Sequence, residues 1–600
     1  MFHSLIKLMS LLDPSRKKKF LFVQVIVLLA ACAEVSQVIV LAGYMNFVTE
    51  YSTGTFTDPL NMQINDFVKS YFESETVIVL GIMSLLYLLA CTLISLLSLW
   101  IYQLFSQKIG ADFSNRLFAY YLDKEWLFHA RNNSSSLTSN IALESRRISN
   151  GIIVHLMHIN SRGILAVLMS VAVFIYNFYA ALLITIIFSL AYIAIYWFVE
   201  KRMLTNGRIM SNVNASRFKL MNEGFGGIRD TILLDRSEIF KLRFFEENRK
   251  LARTTTENST LAHGPKYITE LAAFGTLILV ILYTTIFTQA SVSSILGLLS
   301  FFALAGFKLL PAFQQIYYSI STIQGNIASF ERLEDDLKES ASFNTQSISN
   351  LDKKELRLKN ELSFKNISFK YPGKNETTIK NLSFDIKAFS KVGLVGYSGS
   401  GKSTIADLIA GLIQPDSGEI NVDGNPLTKE KLRKWQNTIG FVSQKVFLTD
   451  ASIKENIAFG LSEDRIDYDR LADALEKSNL TNFVNTLESG INTIVGERGV
   501  QLSGGQCQRI GIARALYENS SVLILDEASS ALDGITEKKI MKEVDMLRES
   551  KTIIIIAHRI NTIKDCDEIL LFDEGKIVGK GNYSDLIKQN SLFKSLANSS

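Results

Sequence analysis

Gly396-Tyr397-Ser398-Gly399-Ser400-Gly401-Lys402-Ser403-Thr404 carries the most explicit chemistry in this sequence. The stretch follows the apolar strand end Leu394-Val395 and opens a segment with Ile405, Leu408 and Ile409 at helical spacing. Strand, glycine-rich loop and helix in that order make a P-loop, in which backbone N–H groups curl around phosphate oxygens and the helix N-terminus adds favourable electrostatics. Lys402 would neutralise the β- and γ-phosphates of a nucleoside triphosphate, and the Ser403 hydroxyl would ligate Mg2+. The alternative is a glycine-rich turn with no ligand.

Further on, the apolar run Val522-Leu523-Ile524-Leu525 ends in Asp526-Glu527. Such a run reads as a buried parallel strand that delivers charge at its C-terminal edge, where α/β sites sit. Asp526 would hold the Mg2+ shell, and Glu527 would orient and deprotonate the attacking water. A second apolar strand, Thr552 to Ala557, delivers His558 in the same way, placed to contact a γ-phosphate. A lone His at a strand end is more often structural; the company of the other motifs favours the functional reading.

These residues need a mixed α/β domain to position them, and residues 350–600 read as one. Residues 1 to about 325 differ, carrying repeated apolar runs. The 600 residues exceed one ordinary domain, and averages of 47% hydrophobic and 20% charged hide two unlike halves. A net charge of +4 gives no reason to expect a nucleic-acid partner. Cys32, Cys91, Cys507 and Cys566 have neither metal nor disulfide spacing. The first apolar run is long and lacks a small-residue cleavage site, so it reads as a membrane span rather than a cleaved signal.

Six spans of about 20 or more apolar residues are predicted, at roughly 20–48, 76–105, 151–178, 179–199, 267–288 and 293–322. The third and fourth nearly touch at Asn177-Phe178, a tight hairpin. The polar stretches 106–150 and 200–265 read as helices continuing beyond the membrane. Both are rich in Lys and Arg, whereas 49–75 has only Lys69, so the positive-inside rule places the long stretches and the C-terminal half in the cytoplasm. Between the first two spans, Leu60, Ile64, Phe67, Val68, Tyr71 and Phe72 recur at helical spacing. This is either an amphipathic helix on the outer leaflet or a short helix capping the spans. The domain boundaries fall at 1–325 for the membrane domain, 326–360 for a connector and 361–600 for the soluble domain.

Leu502-Ser503-Gly504-Gly505-Gln506, upstream of the Asp-Glu strand, resembles the signature motif of ATP-binding-cassette proteins, and the similarity extends over 360–590. The chain is similar to a half-transporter of the type I exporter class, with the type IV fold: an all-α six-helix transmembrane domain followed by a cytoplasmic α/β P-loop domain. The resemblance implies further roles. Tyr371 matches the aromatic that stacks on adenine, and Gln444 the residue that senses Mg2+ and the membrane domain. Ser530-Ala531-Leu532-Asp533 matches the D-loop, and Val495 to Gly499 the X-loop. Coupling helices are implied near 128–137 and 222–230. In the family the signature motif of one subunit closes on the P-loop of the other. Ser503 with the amides of Gly504 and Gly505 would then form a second anion cradle. One cassette needs a second copy, so a homodimer binding ATP and Mg2+ is expected, with a heterodimer as the alternative.

The cargo rests on charged residues inside spans, which are costly and default to functional suspicion. Glu34 lies mid-span one, Lys308 lies in span six one turn before Pro311, and Lys266 and Glu270 begin span five. For Lys266 a snorkelling interfacial residue is an equal reading, and for Glu34 a helix-packing hydrogen bond. Ala33-Glu34-Val35, Pro265-Lys266-Tyr267 and Lys308 to Pro311 resemble flippases of lipid-linked oligosaccharides. That resemblance implies a polyprenyl-pyrophosphate glycan as cargo, its phosphates paired with Lys266 and Lys308, in a bacterial inner membrane. A drug, lipid or peptide exporter with the same engine stays open, as does a cassette-bearing regulator or channel.

Overall fold

The computed structural model describes residues 2–53, 59–72, 76–176, 178–287, 292–341, 355–528, 533–557 and 559–599; along 179–196, 279–287 and 292–305, and at a few flanking positions, it describes the backbone alone. Contacts divide the chain into one unit of residues 1–124 and 128–347 and another of 125–127 and 348–600. Asn177, Ser530 to Leu532 and His558 lie outside the described residues.

The first unit is helical: α1 (Phe2–Ser10), α2 (Pro14–Thr53), α3 (Pro59–Phe72), α4 (Thr76–Leu122), α5 (Trp126–Arg131), α6 (Ser134–Ser139), α7 (Ser145–Ile148), α8 (Val154–Tyr176), α9 (Phe178–Gly226), α10 (Ile228–Leu233), α11 (Ser237–Phe287) and α12 (Val292–Ser340). Among the described residues, Pro14–Ser52, Thr76–Leu122 and Ser134–Ile175 are long and apolar enough to cross a membrane. Leu85, Leu89, Leu93, Leu96 and Trp100 on α4 are all more than half exposed, as a lipid-facing surface requires. With 47 residues, α4 is about 70 Å long against a bilayer core of roughly 30 Å. The polar stretches after the second and fourth apolar runs do continue as helix, to Leu122 and to Gly226. α12 likewise continues to Ser340, so the stretch expected to be a connector from 326 begins as helix.

Two features of this unit are not in the apolar pattern. Between α6 and α8 the hydrogen bonding widens to π turns at Asn140–Glu144 and Ser149–Ile153. The largely buried Arg147, between the two turns, donates to Glu144 at 3.0 Å, Ser211 at 2.7 Å and Asn326 at 3.1 Å, and to the carbonyls of Gly207 and Gly325. There α9 and α12 cross so closely that a Cβ on Gly207 would lie 2.5 Å from Gly325 O. The second feature is α3, where Asn61 and Asn65 are the buried residues and Asn61 Nδ2 donates to Glu50 Oε2 at 2.8 Å. Phe67 and Met62 face outward and Ile64 is half-buried, so among the described residues this helix docks chiefly by its amides.

The second unit has two sheets built from β1 (Glu361–Phe369), β2 (Ile379–Lys387), β3 (Lys391–Gly396), β4 (Ser417–Val422), β5 (Asn425–Pro426), β6 (Ile439–Val442), β7 (Val522–Asp526), β8 (Thr552–Ile556), β9 (Glu568–Asp573) and β10 (Lys576–Gly581). An antiparallel sheet runs β2-β1-β4-β5, and a six-stranded sheet runs β10-β9-β3-β8-β7-β6, parallel except for β10. Around them pack α13 (Lys402–Ile409), α14 (Lys429–Gln436), α15 (Ile453–Ile457), α16 (Tyr468–Lys477), α17 (Thr481–Asn485), α18 (Gly504–Tyr517), α19 (Gly534–Met546), α20 (Tyr583–Gln589) and α21 (Ser591–Ser599).

The apolar runs of β7 and β8 are explained by burial on both faces. Leu523, Leu525, Ile553 and Ile555 enter one core, and Val522, Ile524, Ile554 and Ile556 the other. The strand order sets β3, β8 and β7 side by side, with Leu394 and Asp526 both registered on Ile556. Their C-terminal ends therefore bring the glycine-rich loop, Ala557 and the Asp526-Glu527 pair to one edge.

Candidate functional site

The loop after β3 is shaped by its glycines. Gly396 (φ +155°) passes so close to β9 that a Cβ would lie 2.1 Å from Phe572 O, and Gly401 holds the left-handed φ of +103° just before α13. Lys402 Nζ donates to the carbonyls of Gly396 at 2.8 Å and Tyr397 at 2.9 Å. Burial pushes the Lys402 ammonium below its ordinary pKa, and the charges of Glu527 and Asp526 oppose that shift. The buried Ser400 Oγ has no hydrogen-bond partner among the described residues. A cation held by loop carbonyls, an orphaned hydroxyl and the amides opening a helix fit a polyphosphate, as the sequence predicts. Tyr371 Oη lies 3.3 Å from Thr404 Oγ1, which sets the ring beside the end of this loop.

Glu527 sits in the left-handed region at φ +51°, an uncommon conformation for a side chain of this kind. Its N–H donates to Ile556 O at 3.1 Å, pinning the strand end to β8. Gln444 Nε2 donates to Glu527 Oε2 at 2.7 Å, and Gln508 Nε2 reaches Glu527 O at 3.4 Å. Ser403, Gln444 and Asp526 supply only oxygen donors toward a cation, the set a hard Mg2+ ion takes. Asp407, on the face of α13 toward Asp526, is pushed up to about 6 by burial and then by that neighbour's charge.

The Ser503 to Gln506 stretch is a capping box. Ser503 Oγ accepts from Gln506 N, and Gln506 Oε1 accepts from Ser503 N at 2.7 Å. This presents the exposed Gly504 at the N-terminus of the 14-residue helix α18, where amides favour an anion. The Ser-x-x-Gln spacing announces that cap, and with it the role of Gln506, in the sequence itself.

Residues 20–308 match the ABC transporter transmembrane region, and residues 379–530 match the ABC transporter ATPase family. Together they make up more than two thirds of the chain. The chain belongs to the ABC transporter family. Among curated relatives it is similar to the ATP-dependent lipid A-core flippase of Salmonella typhimurium, 29% identical over 492 residues that span 82% of this chain and 83% of the relative. The flippase of the same name from Aliivibrio fischeri is 42% identical over 239 residues, 40% of this chain and 41% of the relative. The fold also matches a solved bacterial Atm1-family ABC exporter with ATP bound, at TM-score 0.78 and 22% identity over 98% of this chain and 99% of that one. The transporter thus joins a helical transmembrane region to an ATP-binding α/β domain, and it is an ATP-driven exporter.

The charged residues of the transporter's membrane half fall into three places. Glu34 forms an ion pair with Arg162 of α8 at 2.9 Å. Lys308 donates to Gln37 Oε1 of α2 at 3.3 Å, one turn along from Glu34, and Gln37 in turn reaches Thr92 and Leu88 O on α4. Lys266 lies apart from both, exposed, with Glu270 at 3.8 Å on its own helix. The structure thus groups Lys308 and Glu34 near α2, and it does not bring Lys266 to them. Arg162 and Gln37 are the partners that sequence reading missed. Arg162 was signalled by its charge inside an apolar run, but its partner is 128 residues away.

Both prolines expected at spans five and six lie inside helices, Pro265 in α11 and Pro311 in α12. Pro265 removes the bond that Leu261 O would accept in a regular helix. Tyr317 Oη of α12 fills that role at 3.4 Å, so the break in one helix becomes a tie to the next.

Proposed function

We propose that this exporter works as a homodimer with six spans per chain, and that it flips a lipid whose head joins sugar to phosphate. A lipid-linked oligosaccharide on a polyprenyl pyrophosphate is the favoured cargo. The observation that carries this reading is Lys308, held by Gln37 beside the Glu34–Arg162 pair within helices whose outer surfaces are apolar. A phosphorylated polar head cannot cross hydrocarbon unaided, and cations fixed at mid-span by neutral or paired neighbours can receive phosphate without collapsing onto a local acid. The name shared by the relatives, lipid A-core flippase, supports a second cargo of the same chemistry, a phosphorylated saccharide on acyl chains. We place the exporter in a bacterial inner membrane, with the ATPase domain in the cytoplasm, on the side of the Lys- and Arg-rich stretches 106–150 and 200–265.

In the ATPase half, Lys402 would exchange its two loop carbonyls for phosphate oxygens, with Ser400, Ser398 and Thr404 beside it and Tyr371 against the base. Ser403, Gln444 and Asp526 would hold Mg2+, which when bound shields the phosphate charge. Glu527, released by Gln444, would take the proton of the water that attacks the γ-phosphorus while the bond to the β-bridging oxygen breaks. His558 would contact the γ-phosphate, and the signature helix of a second copy would close the site.

The test is ATP-dependent flipping of an enzyme-trappable polyprenyl-pyrophosphate oligosaccharide in proteoliposomes, with Glu527→Gln as control. Flipping by the parent alone supports the reading. ATP turnover without flipping of this lipid, but with flipping of a lipid A-core glycolipid, moves the cargo to the second reading.

A further inference from the structure

A second polar cluster lies along the membrane helices, away from Lys308. His155, His158 and Arg162 stand at i, i+3 and i+7 on α8, which puts them on one face. His158 Nδ1 lies 3.2 Å from Tyr102 Oη of α4, and His155 Nδ1 lies 3.2 Å from Ser319 Oγ of α12. The two imidazoles are 5.7 Å apart, and His155 meets the ring of Tyr318 edge-on at 5.3 Å. Tyr318 in turn stacks on His263 of α11 at 4.5 Å and 26°. Four helices thus contribute to one array, which uses three of the chain's six histidines. Both imidazole bonds use Nδ1, and Nε2 of each ring has no hydrogen-bond partner among the described residues.

The α11–α12 contact has ties of its own beside the array. Tyr317 to Leu261 O and Gln314 to Thr269 already tie α11 to α12. Ionisable side chains gathered inside apolar helices point by default to a function, and here each imidazole keeps an Nε2 for a ligand. Their chemistry is two-sided. Imidazole N–H groups suit phosphate oxygens, and Arg162, farther along the same face and paired with Glu34, leads from the array toward Lys308. The stacked Tyr318–His263 pair offers a π face, negative at its centre, to the C–H face of a sugar ring. A phospholipid without sugar would have no use for that plate. Tyr318 lies ten residues beyond Lys308 on α12, about 15 Å along the axis, so the array is a separate station.

We propose that His155, His158, Tyr318 and His263 form a loading station that receives the phosphorylated sugar head of the lipid before it reaches Lys308. This rests on the flippase reading and adds to it a specific recognition of the sugar.

The experiment uses the full chain in proteoliposomes and reads the lipid concentration that half-maximally stimulates ATP turnover above each variant's own unstimulated rate. Two probes are compared, a polyprenyl-pyrophosphate disaccharide and the same polyprenyl pyrophosphate without sugar. The His155→Ala/His158→Ala variant should need about tenfold more of both probes. Tyr318→Leu should need about tenfold more of the sugar-bearing probe and the parent's concentration of the bare pyrophosphate, and Tyr318→Phe, which keeps the ring, should match the parent with both. Half-maximal concentrations within twofold of the parent in all variants, with the parent flipping the sugar probe, overturn the station alone. Equal loss for both probes in Tyr318→Leu overturns the sugar plate. A parent that responds to neither probe overturns the station together with the polyprenyl-pyrophosphate reading on which it rests.

Discussion

In the ATPase half, the residues proposed to meet phosphate hang from the C-terminal ends of adjacent strands, and one loop of nine residues supplies most of them. In the membrane half, the contacts that hold Glu34 and Lys308 join residues far apart in the chain: 128 positions separate Glu34 from Arg162, and 271 separate Gln37 from Lys308. The first arrangement is fixed by a sheet whose hydrogen bonds set register residue by residue. The second is fixed by where long helices happen to cross, and each crossing contributes one side chain. A site built from one loop tolerates no change in that loop. A site spread over five helices should lose function in increments, and its geometry should depend on crossings that touch no cargo.

The sharpest test of the concentrated half is Glu527→Gln. Its carboxylate is held in a left-handed turn with Gln444 at 2.7 Å, and the amide that replaces it keeps the shape but cannot accept a proton. ATP turnover of the purified chain should fall about 10²- to 10⁴-fold, the range a general base supplies. A loss of less than tenfold would mean that another group takes the proton, and would remove the contrast between the halves.

For the dispersed half, the corresponding vulnerability is predicted at a crossing. Arg147 is largely buried, meets five acceptors on three helices and neutralises the fully buried Glu144. Arg147→Ala leaves that carboxylate without its cation, at a cost of about 3–5 kcal/mol. Thermal unfolding of the membrane half in detergent should shift down accordingly, and Arg147→Ala/Glu144→Ala should recover part of the loss. An unchanged transition would show that the π-turn region opens independently of the rest.

Lys308→Ala should be milder. One charge-assisted contact to phosphate is worth about 1.5–3 kcal/mol, so the lipid concentration for half-maximal flipping should rise roughly tenfold or more. Lys266→Ala serves as the comparison. The structure sets Lys266 apart, exposed and beside its own Glu270, so its removal should matter less than that of Lys308. Equal effects would mean that the two lysines act at one station after all.

The same contrast explains what could be read without coordinates. The strand ends of β3 and β7, the loop between Gly396 and Thr404 and the helix entry at Ser503 were legible because strand, turn and cap chemistry are local. The helical continuation of 106–122 and 200–226 was legible because its charge marks it as cytoplasmic and its pattern stays helical. The π turns around Arg147 were not, since they arise from packing against Gly207 and Asn326, far along the chain. Nor could the partners of Glu34 and Lys308 be read, because periodicity assigns a face to each helix but does not say which helix that face meets. The amide-inward docking of α3 was not legible for a related reason. Asn61 is turned inward by Glu50 on the preceding helix, while Met62 and Phe67 face outward.

The smallest predicted effect returns to the concentrated half, where charges are crowded. Asp407 has its carboxyl raised from 3.8 to about 6, first by burial and then by Asp526. Between those two values the folded chain keeps a proton that the unfolded chain has released. The stability this carboxyl contributes is therefore complete below the lower value and is lost as pH rises through the upper one. Asp407→Asn has no such proton to lose. In the nucleotide-free protein its melting temperature relative to the parent should be higher at about pH 7.5 than at about pH 4.5, by a few degrees. A constant difference at both values would mean that Asp407 is already ionised in the folded chain, and that Lys402 compensates both acids at this edge of the sheet.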